Sequence, residues 1–242
     1  MRVAVAQFAA TMVKPANVSR VQELVVRAEA DLVVLPEAAM HPIGPPDGGL
    51  TRVAEPLDGP FVTGVAEAAA KTGSVVVAGM FEAVPGEPRP FNTVVAVGPR
   101  GVLGSYRKVH LFDALGWRES EHLAPGPASG LLTVPVRDLV VGVLTCYDLR
   151  FPELARALVD RGATLLAVPA AWVAGPLKED HWVTLVRARA IENTCWVAAA
   201  GQTPPEYAGR SMIVDPLGVP VVQLGIAEGV AVAEVTGARV AE

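Results

Sequence analysis

Long hydrophobic runs are missing from this chain. Apolar residues make up 51% of its 242 positions, yet no stretch reaches the roughly 18–20 uninterrupted apolar residues that a membrane-spanning helix needs. The longest runs are strand-sized, as at 139–144. A membrane role is excluded, and the mean hydropathy of +0.39 points to burial in a layered core, a subunit interface, or both. Cysteine is scarce as well. Cys146 and Cys195 are the only two, too few for a disulfide framework, and no Cys/His spacing resembles a zinc site. There is no basic stripe for a phosphate backbone and no platform of aromatics and arginines for single strands. With a net charge of −5 and a pI near 5.5, nucleic acid is excluded as a partner. The N-terminus, Met1-Arg-Val-Ala-Val-Ala-Gln-Phe8, alternates like a strand and lacks the apolar core of an export signal. A reducing, cytoplasmic location is the expectation.

What is present is an alternation of short β-rich runs with Ala-rich helical stretches. Residues 3–6 read as a strand, 18–30 as an amphipathic helix capped by Asn17, and 32–35 as a buried strand. A helix over 61–71 and a strand over 75–78 follow. Next comes a meander, 92–97 and 102–106, around the Gly98-Pro99-Arg100-Gly101 turn. Further strands are predicted at 132–136, 139–144, 165–168, 196–200, 211–214, 219–224 and 230–235, with helices at 151–161 and 180–193. No internal repeat or linker is visible, so residues 1–242 read as a single domain. Helices between buried strands predict a layered α/β sandwich. A single doubly wound sheet is the competing architecture, but the first β–α junction lacks the glycine fingerprint for a dinucleotide.

Three residues that can do chemistry each follow a strand-like run, where α/β folds place their sites. They are Glu37, Lys108 and Cys146. Singly, each has a plain structural explanation: a carboxylate at a helix start, a solvated lysine, a buried small apolar cysteine. Together they meet the needs of acyl transfer. A thiol needs a base or a nearby cation, a carboxylate can take its proton and later activate water, and an ammonium can stabilise an oxyanion beside the N–H of residue 147. The irregular segment 107–130 is too long and too rich in aromatics and charge for a linker, which marks it as functional.

Leu35-Pro-Glu37, Tyr106-Arg-Lys108-Val-His-Leu-Phe-Asp113 and Leu144-Thr-Cys146-Tyr-Asp-Leu-Arg150-Phe-Pro-Glu153 resemble, in order, the three motifs of the nitrilase superfamily. Val3-Ala-Val-Ala-Gln-Phe8, Glu119-Ser-Glu-His-Leu-Ala-Pro-Gly126, His181-Trp182, Arg187-Ala-Arg-Ala-Ile-Glu192-Asn193 and Asp215-Pro-Leu-Gly218 support the resemblance, which runs from residue 2 to about 235. It implies a four-layer α-β-β-α sandwich that pairs into a homodimer or a larger assembly. It also implies Glu37 as general base, Lys108 as oxyanion stabiliser, Cys146 as nucleophile forming a thioester, and Glu119, rather than Glu121, as a second glutamate. No metal or organic cofactor is implied.

Around these, Arg150 either binds a substrate carboxylate or pairs with Glu153 or Asp148. Tyr147, Trp172 and His181 are candidate pocket residues. His110 or His122 beside Cys146 would instead make a protease-like pair. Cys195 reads as structural. The motif wording is nearest the omega-amidase and deaminated-glutathione amidase branch, which implies hydrolysis of the terminal amide of a small carboxylate with release of ammonia. An N-carbamoyl amino acid hydrolase is the alternative, and a nitrilase a further one. Two places depart from the amidase wording, the stretch 173–180 and Gly209-Arg210. A non-catalytic binding module and a redox sensor built on Cys146 are the readings from other classes. The first would be favoured by loss of a motif residue, and the second needs a resolving cysteine, for which only Cys195 is available.

Overall fold

The computed structural model describes residues 1–44, 49–114 and 116–242. The first half runs β1 (Arg2–Gln7), α1 (Lys14–Ala28), β2 (Leu32–Val34), a short α2 (Gly49–Val53), α3 (Pro60–Thr72), β3 (Val75–Glu82), β4 (Phe91–Gly98) and β5 (Gly101–Arg107). Two-residue strands β6 (Asp113–Ala114) and β7 (Trp117–Arg118) and a 3-10 turn (Glu119–Glu121) break up the long segment, in which Leu115 lies outside the described residues. The second half runs β8 (Leu132–Val136), β9 (Leu139–Val143), a 3-10 turn (Cys146–Arg150), α4 (Pro152–Asp160), β10 (Leu165–Ala170), α5 (Lys178–Asn193) and β11 (Trp196–Gly201). It closes with β12 (Met212–Val214), β13 (Pro220–Gln223), β14 (Gly229–Glu234) and α6 (Ala238–Ala241).

The larger strands form two six-stranded sheets, ordered β14-β1-β2-β3-β4-β5 and β13-β12-β11-β10-β9-β8. Period-two alternation decides which side chain faces which layer. In the first sheet Val3, Val5, Leu32, Val34 and Val77 point into a core shared with the second sheet. Their neighbours Ala4, Ala6, Val33, Val76 and Ala78 pack against Val21, Leu24 and Val25 of α1 and Phe61 and Val65 of α3. Helices α4 and α5 cover the second sheet with Leu154, Leu158, Trp182 and Val186. The result is the four-layer α-β-β-α sandwich expected from the motifs, and burial on both faces is why the strands are apolar throughout.

Two readings need correction. Asn17 does not cap the first helix, which starts earlier, after Val13, with a proline in its first turn. From inside the helix, the Asn17 side chain bonds Thr11 and donates 2.9 Å to Met40 O, tying down the segment that leads to the site. And although no sequence repeat is visible, the topology is duplicated. From β14 to β5 the pairings run antiparallel, parallel, parallel, antiparallel, antiparallel. From β8 to β13 they run the same way. The parallel strands of each half therefore direct their C-terminal ends, with the loops that follow, toward a common region.

Candidate active site

Glu37 lies three residues past the end of β2, in a turn that packs directly on β3. Gly79 of β3 makes this possible, because a Cβ there would sit 2.5 Å from Glu37 Cα and from Ala38 N. Lys108 follows β5, and its backbone N–H donates to Asn92 O at 2.8 Å, setting the two side chains next to each other. Gly126 N–H in turn donates to Lys108 O at 2.8 Å, and a Cβ on Gly126 would collide with Arg107 O. Cys146 occupies a sharp strand-to-turn junction after β9, with φ at +47°. Positive φ is unfavourable for a residue with a Cβ, and strain of this kind persists only where the surroundings impose it.

Asp148 holds that junction. Fully buried, it accepts from Thr145 N (3.1 Å), Tyr106 Oη (2.7 Å), His110 N (3.0 Å) and His110 Nδ1 (2.8 Å). It thereby joins the cysteine segment to the lysine segment.

The side chains meet in one buried cluster. Glu37 Oε1 accepts from Lys108 Nζ at 2.9 Å and from Asn92 Nδ2 at 2.7 Å, and Oε2 accepts from Ala171 N at 2.7 Å. The Cys146 thiol lines the same cavity, close enough for the Glu37 and Lys108 charges to act on it. Glu119 accepts from Lys108 Nζ at 3.1 and 2.9 Å, from Asn92 Nδ2 at 2.9 Å and from Phe112 N at 2.6 Å. Glu37, Lys108 and Glu119 are 0, 2 and 2% exposed, so their charges act with little screening by water.

Burial alone would push the Glu37 carboxyl up; the Lys108 ammonium and the bonds from Lys108, Cys146 and Asn92 outweigh it and hold the group below its ordinary value. Burial would likewise lower Lys108, but Glu119 and Glu37 hold its proton well above the usual lysine range. Burial and the Glu37 charge push the Cys146 thiol well up, and Lys108 only partly opposes them. At rest the site therefore holds a neutral thiol against an ionised carboxylate and an ammonium.

The cluster opens into a cavity of about 700 Å³, within the range of small-molecule sites. Tyr147, Arg150 and Trp172 line it, as the sequence suggested. His181 is not among its lining residues; its Nδ1 lies 3.4 Å from Arg150 Nη2. Among the described residues Arg150 pairs with neither Asp148 nor Glu153; its guanidinium lies over Trp172 (5.0 Å) and Tyr147 (5.9 Å). His110 is committed to Asp148 and stacked on Phe151, and His122 packs by Trp117, so neither histidine is placed to pair with the thiol. Glu121 is exposed beside Arg118, whereas Glu119 is inside. Cys195 is buried, its thiol pushed up to about 12 by burial. The sequence reading missed Asn92, the Ala171 N–H, Lys178 and Tyr207. Its one available signal was a polar Asn92 opening an otherwise apolar strand.

This is the arrangement of a hydrolase acting on carbon–nitrogen bonds. The carbon-nitrogen hydrolase family model matches residues 2–242, and the chain belongs to that family. It is 40% identical over 255 residues to a hydrolase of Mycobacterium tuberculosis, covering 97% of this chain and 89% of that one. It is 37% identical over 244 residues to the deaminated glutathione amidase of Escherichia coli O157:H7, covering 99% and 92%. Among solved structures it matches a carbon-nitrogen hydrolase superfamily protein of Xanthomonas campestris, which carries an arsenic adduct in its active site. The TM-score is 0.89 at 30% identity, covering 100% of this chain and 92% of that one.

Proposed function

We propose that the protein is an amidase that hydrolyses the terminal amide of a small carboxylate through a thioester on Cys146. The observation that carries this reading is the buried cluster in which Glu37 accepts from Lys108 at 2.9 Å, lining one cavity with the Cys146 thiol. Cys146 Sγ attacks the amide carbon, an S–C bond forms, and the thiol proton passes to Glu37. The oxygen, now negative, is stabilised by the Lys108 ammonium and the N–H of Tyr147. Glu37 gives its proton to the nitrogen, the C–N bond breaks and ammonia leaves. Glu37 then takes a proton from water, which attacks the thioester; the S–C bond breaks, sulfur is reprotonated and a carboxylic acid departs. Glu119 keeps Lys108 charged and placed throughout.

The likeness to an amidase and the motif wording support an amide over a carbamoyl group or a nitrile. Two copies pairing in solution belong to the same reading. Ile191, Leu217 and Val219, 53, 63 and 52% exposed, form an apolar surface around Gly218 that a dimer would cover; light scattering on the purified protein tests it. The test of function is ammonia release from 2-oxoglutaramate, deaminated glutathione, succinamate, an N-carbamoyl amino acid and a simple nitrile. Release from an amide supports the reading, and release confined to the carbamoyl compound or the nitrile replaces it.

A further inference from the structure

Cys146, Ala171 and Gln202 lie just past the C-terminal ends of β9, β10 and β11, which are parallel neighbours in the second sheet. The first brings the thiol, and the second gives its N–H to Glu37 Oε2 at 2.7 Å. The third, Gln202, is buried and turns its side chain to the same glutamate. Its Nε2 donates to Glu37 O at 2.9 Å and more weakly to Ala38 O at 3.4 Å, while its Oε1 accepts from Ala10 N at 2.9 Å. These partners fix the amide's orientation, since the reverse would set its oxygen against two carbonyls. The Gln202 backbone is fixed as well, with its N–H donating to Ala170 O at 3.2 Å and its carbonyl accepting from Gly209 N at 3.0 Å. One residue earlier, Gly201 N donates to Ser211 Oγ at 2.8 Å, and Ser211 Oγ donates to Gln7 Oε1 at 2.8 Å. Gln7, from the first of the supporting motifs, is thereby the far end of a buried polar chain that runs to the base.

The Glu37 carboxylate has to span two sheets. Its Oε1 is held by Lys108, which follows β5 of the first sheet, and its Oε2 by Ala171 N of the second. Its turn is anchored to the first sheet through β3, where Gly79 N donates to Pro36 O at 3.1 Å and Met40 N to Gly79 O at 3.3 Å. Gln202 supplies the matching anchor from the second sheet. The residue after the base, Ala38, is buried with φ at +56°, a conformation that a residue with a Cβ keeps only where its surroundings impose it. We propose that Gln202 is a positioning residue for the reaction, tying the peptide that joins Glu37 and Ala38 to the sheet that carries Cys146, so that the Glu37 carboxylate reaches Lys108 and the Ala171 N–H together. It acts through Glu37 rather than on the substrate. Its kinetic consequence rests on the amidase reading, in which Glu37 is the base; its geometric consequence does not.

Two arms test it. The first measures amide turnover in Gln202→Met, which keeps the length of the side chain and removes the donor. A base displaced by a fraction of an ångström should lower kcat about 10- to 100-fold, with KM changed less than about twofold. The acid limb of kcat/KM should move to higher pH, because Glu37 is drawn away from the Lys108 charge. Adding Ala38→Gly should recover part of kcat, since glycine takes up φ at +56° without the tether. Val21→Ala, a core substitution under α1, controls for stability and should lower the melting temperature with kcat and the limb unchanged. A Gln202→Met enzyme that behaves like this control would overturn the proposal. Gln202→Asn, one methylene too short to reach Glu37 O, carries the same expectations if Gln202→Met does not fold. The second arm is a crystal structure of the variant. Loss of the Glu37 bond to Ala171 N or to Lys108 Nζ supports the tether, and retention of both at their wild-type lengths overturns it. Should wild type cleave no amide, the amidase reading fails while the crystal structure still decides the tether.

Discussion

Glu37 and Glu119 share two donors: Lys108 Nζ and Asn92 Nδ2 each bond to both carboxylates, at 2.7 to 3.1 Å. Two buried negative charges are thus bridged by one positive charge and one neutral amide. Adding a thiolate would raise the local charge from −1 to −2, which is why the proton stays on Cys146 until substrate arrives. In the proposed mechanism, nucleophile activation and leaving-group protonation are successive acts of one carboxylate.

Replacing the nucleophile tests this without disturbing the bridge. Cys146→Ala should abolish turnover and leave the thermal midpoint within a few degrees of wild type, because a small buried side chain is lost and no charge is unpaired. Steady-state kinetics and a melting curve check both halves.

Lys108 also holds the buried cluster together. Lys108→Met should lower kcat by about 10²–10³-fold and destabilise the fold by about 3–5 kcal/mol, since it leaves two buried carboxylates without their cation. Adding Glu119→Gln should recover part of that stability in urea unfolding. No recovery would mean that Glu119 does not feel Lys108.

The two neighbouring glutamates should separate cleanly. Glu119→Gln should cut turnover at least tenfold through loss of the charge that holds Lys108, whereas Glu121→Gln, exposed at a weak 3.9 Å pair, should behave as wild type. Parallel kinetics on the two variants decide it.

The acid limb of the rate profile follows from the sign of the Glu37 shift. Despite burial, Lys108, Cys146 and Asn92 hold its pKa below the ordinary 4.5. Ionised Glu37 therefore adds stability at pH above its unfolded value, and this is lost as pH falls through the lower folded value. The kcat/KM of the free enzyme should hold its plateau to below pH 4.5, with the limb absent in Glu37→Gln. A wild-type limb near pH 6–7 would point to a histidine base instead.

The residues of the buried cluster were legible because they lie in short local motifs at strand ends, and the layers were legible because strands apolar on both faces need cover on both sides. What was hidden depends on pairing between distant segments. Asn92 matters because β4 lies beside β5, and Ala171 N–H because β10 ends next to the Glu37 turn. The duplicated topology left no trace, since many apolar sequences satisfy a fully buried strand. His181 does not line the cavity but lies 3.4 Å from Arg150, a neighbour that sequence spacing does not reveal.

The most direct test of the central claim is intact-protein mass spectrometry under turnover, with succinamate, glutaramate or another amide that releases ammonia. A covalent acyl adduct should appear, map to the peptide containing Cys146 and be absent from Cys146→Ala along with ammonia release. Turnover that survives in Cys146→Ala, or an adduct that maps to Cys195, would contradict it.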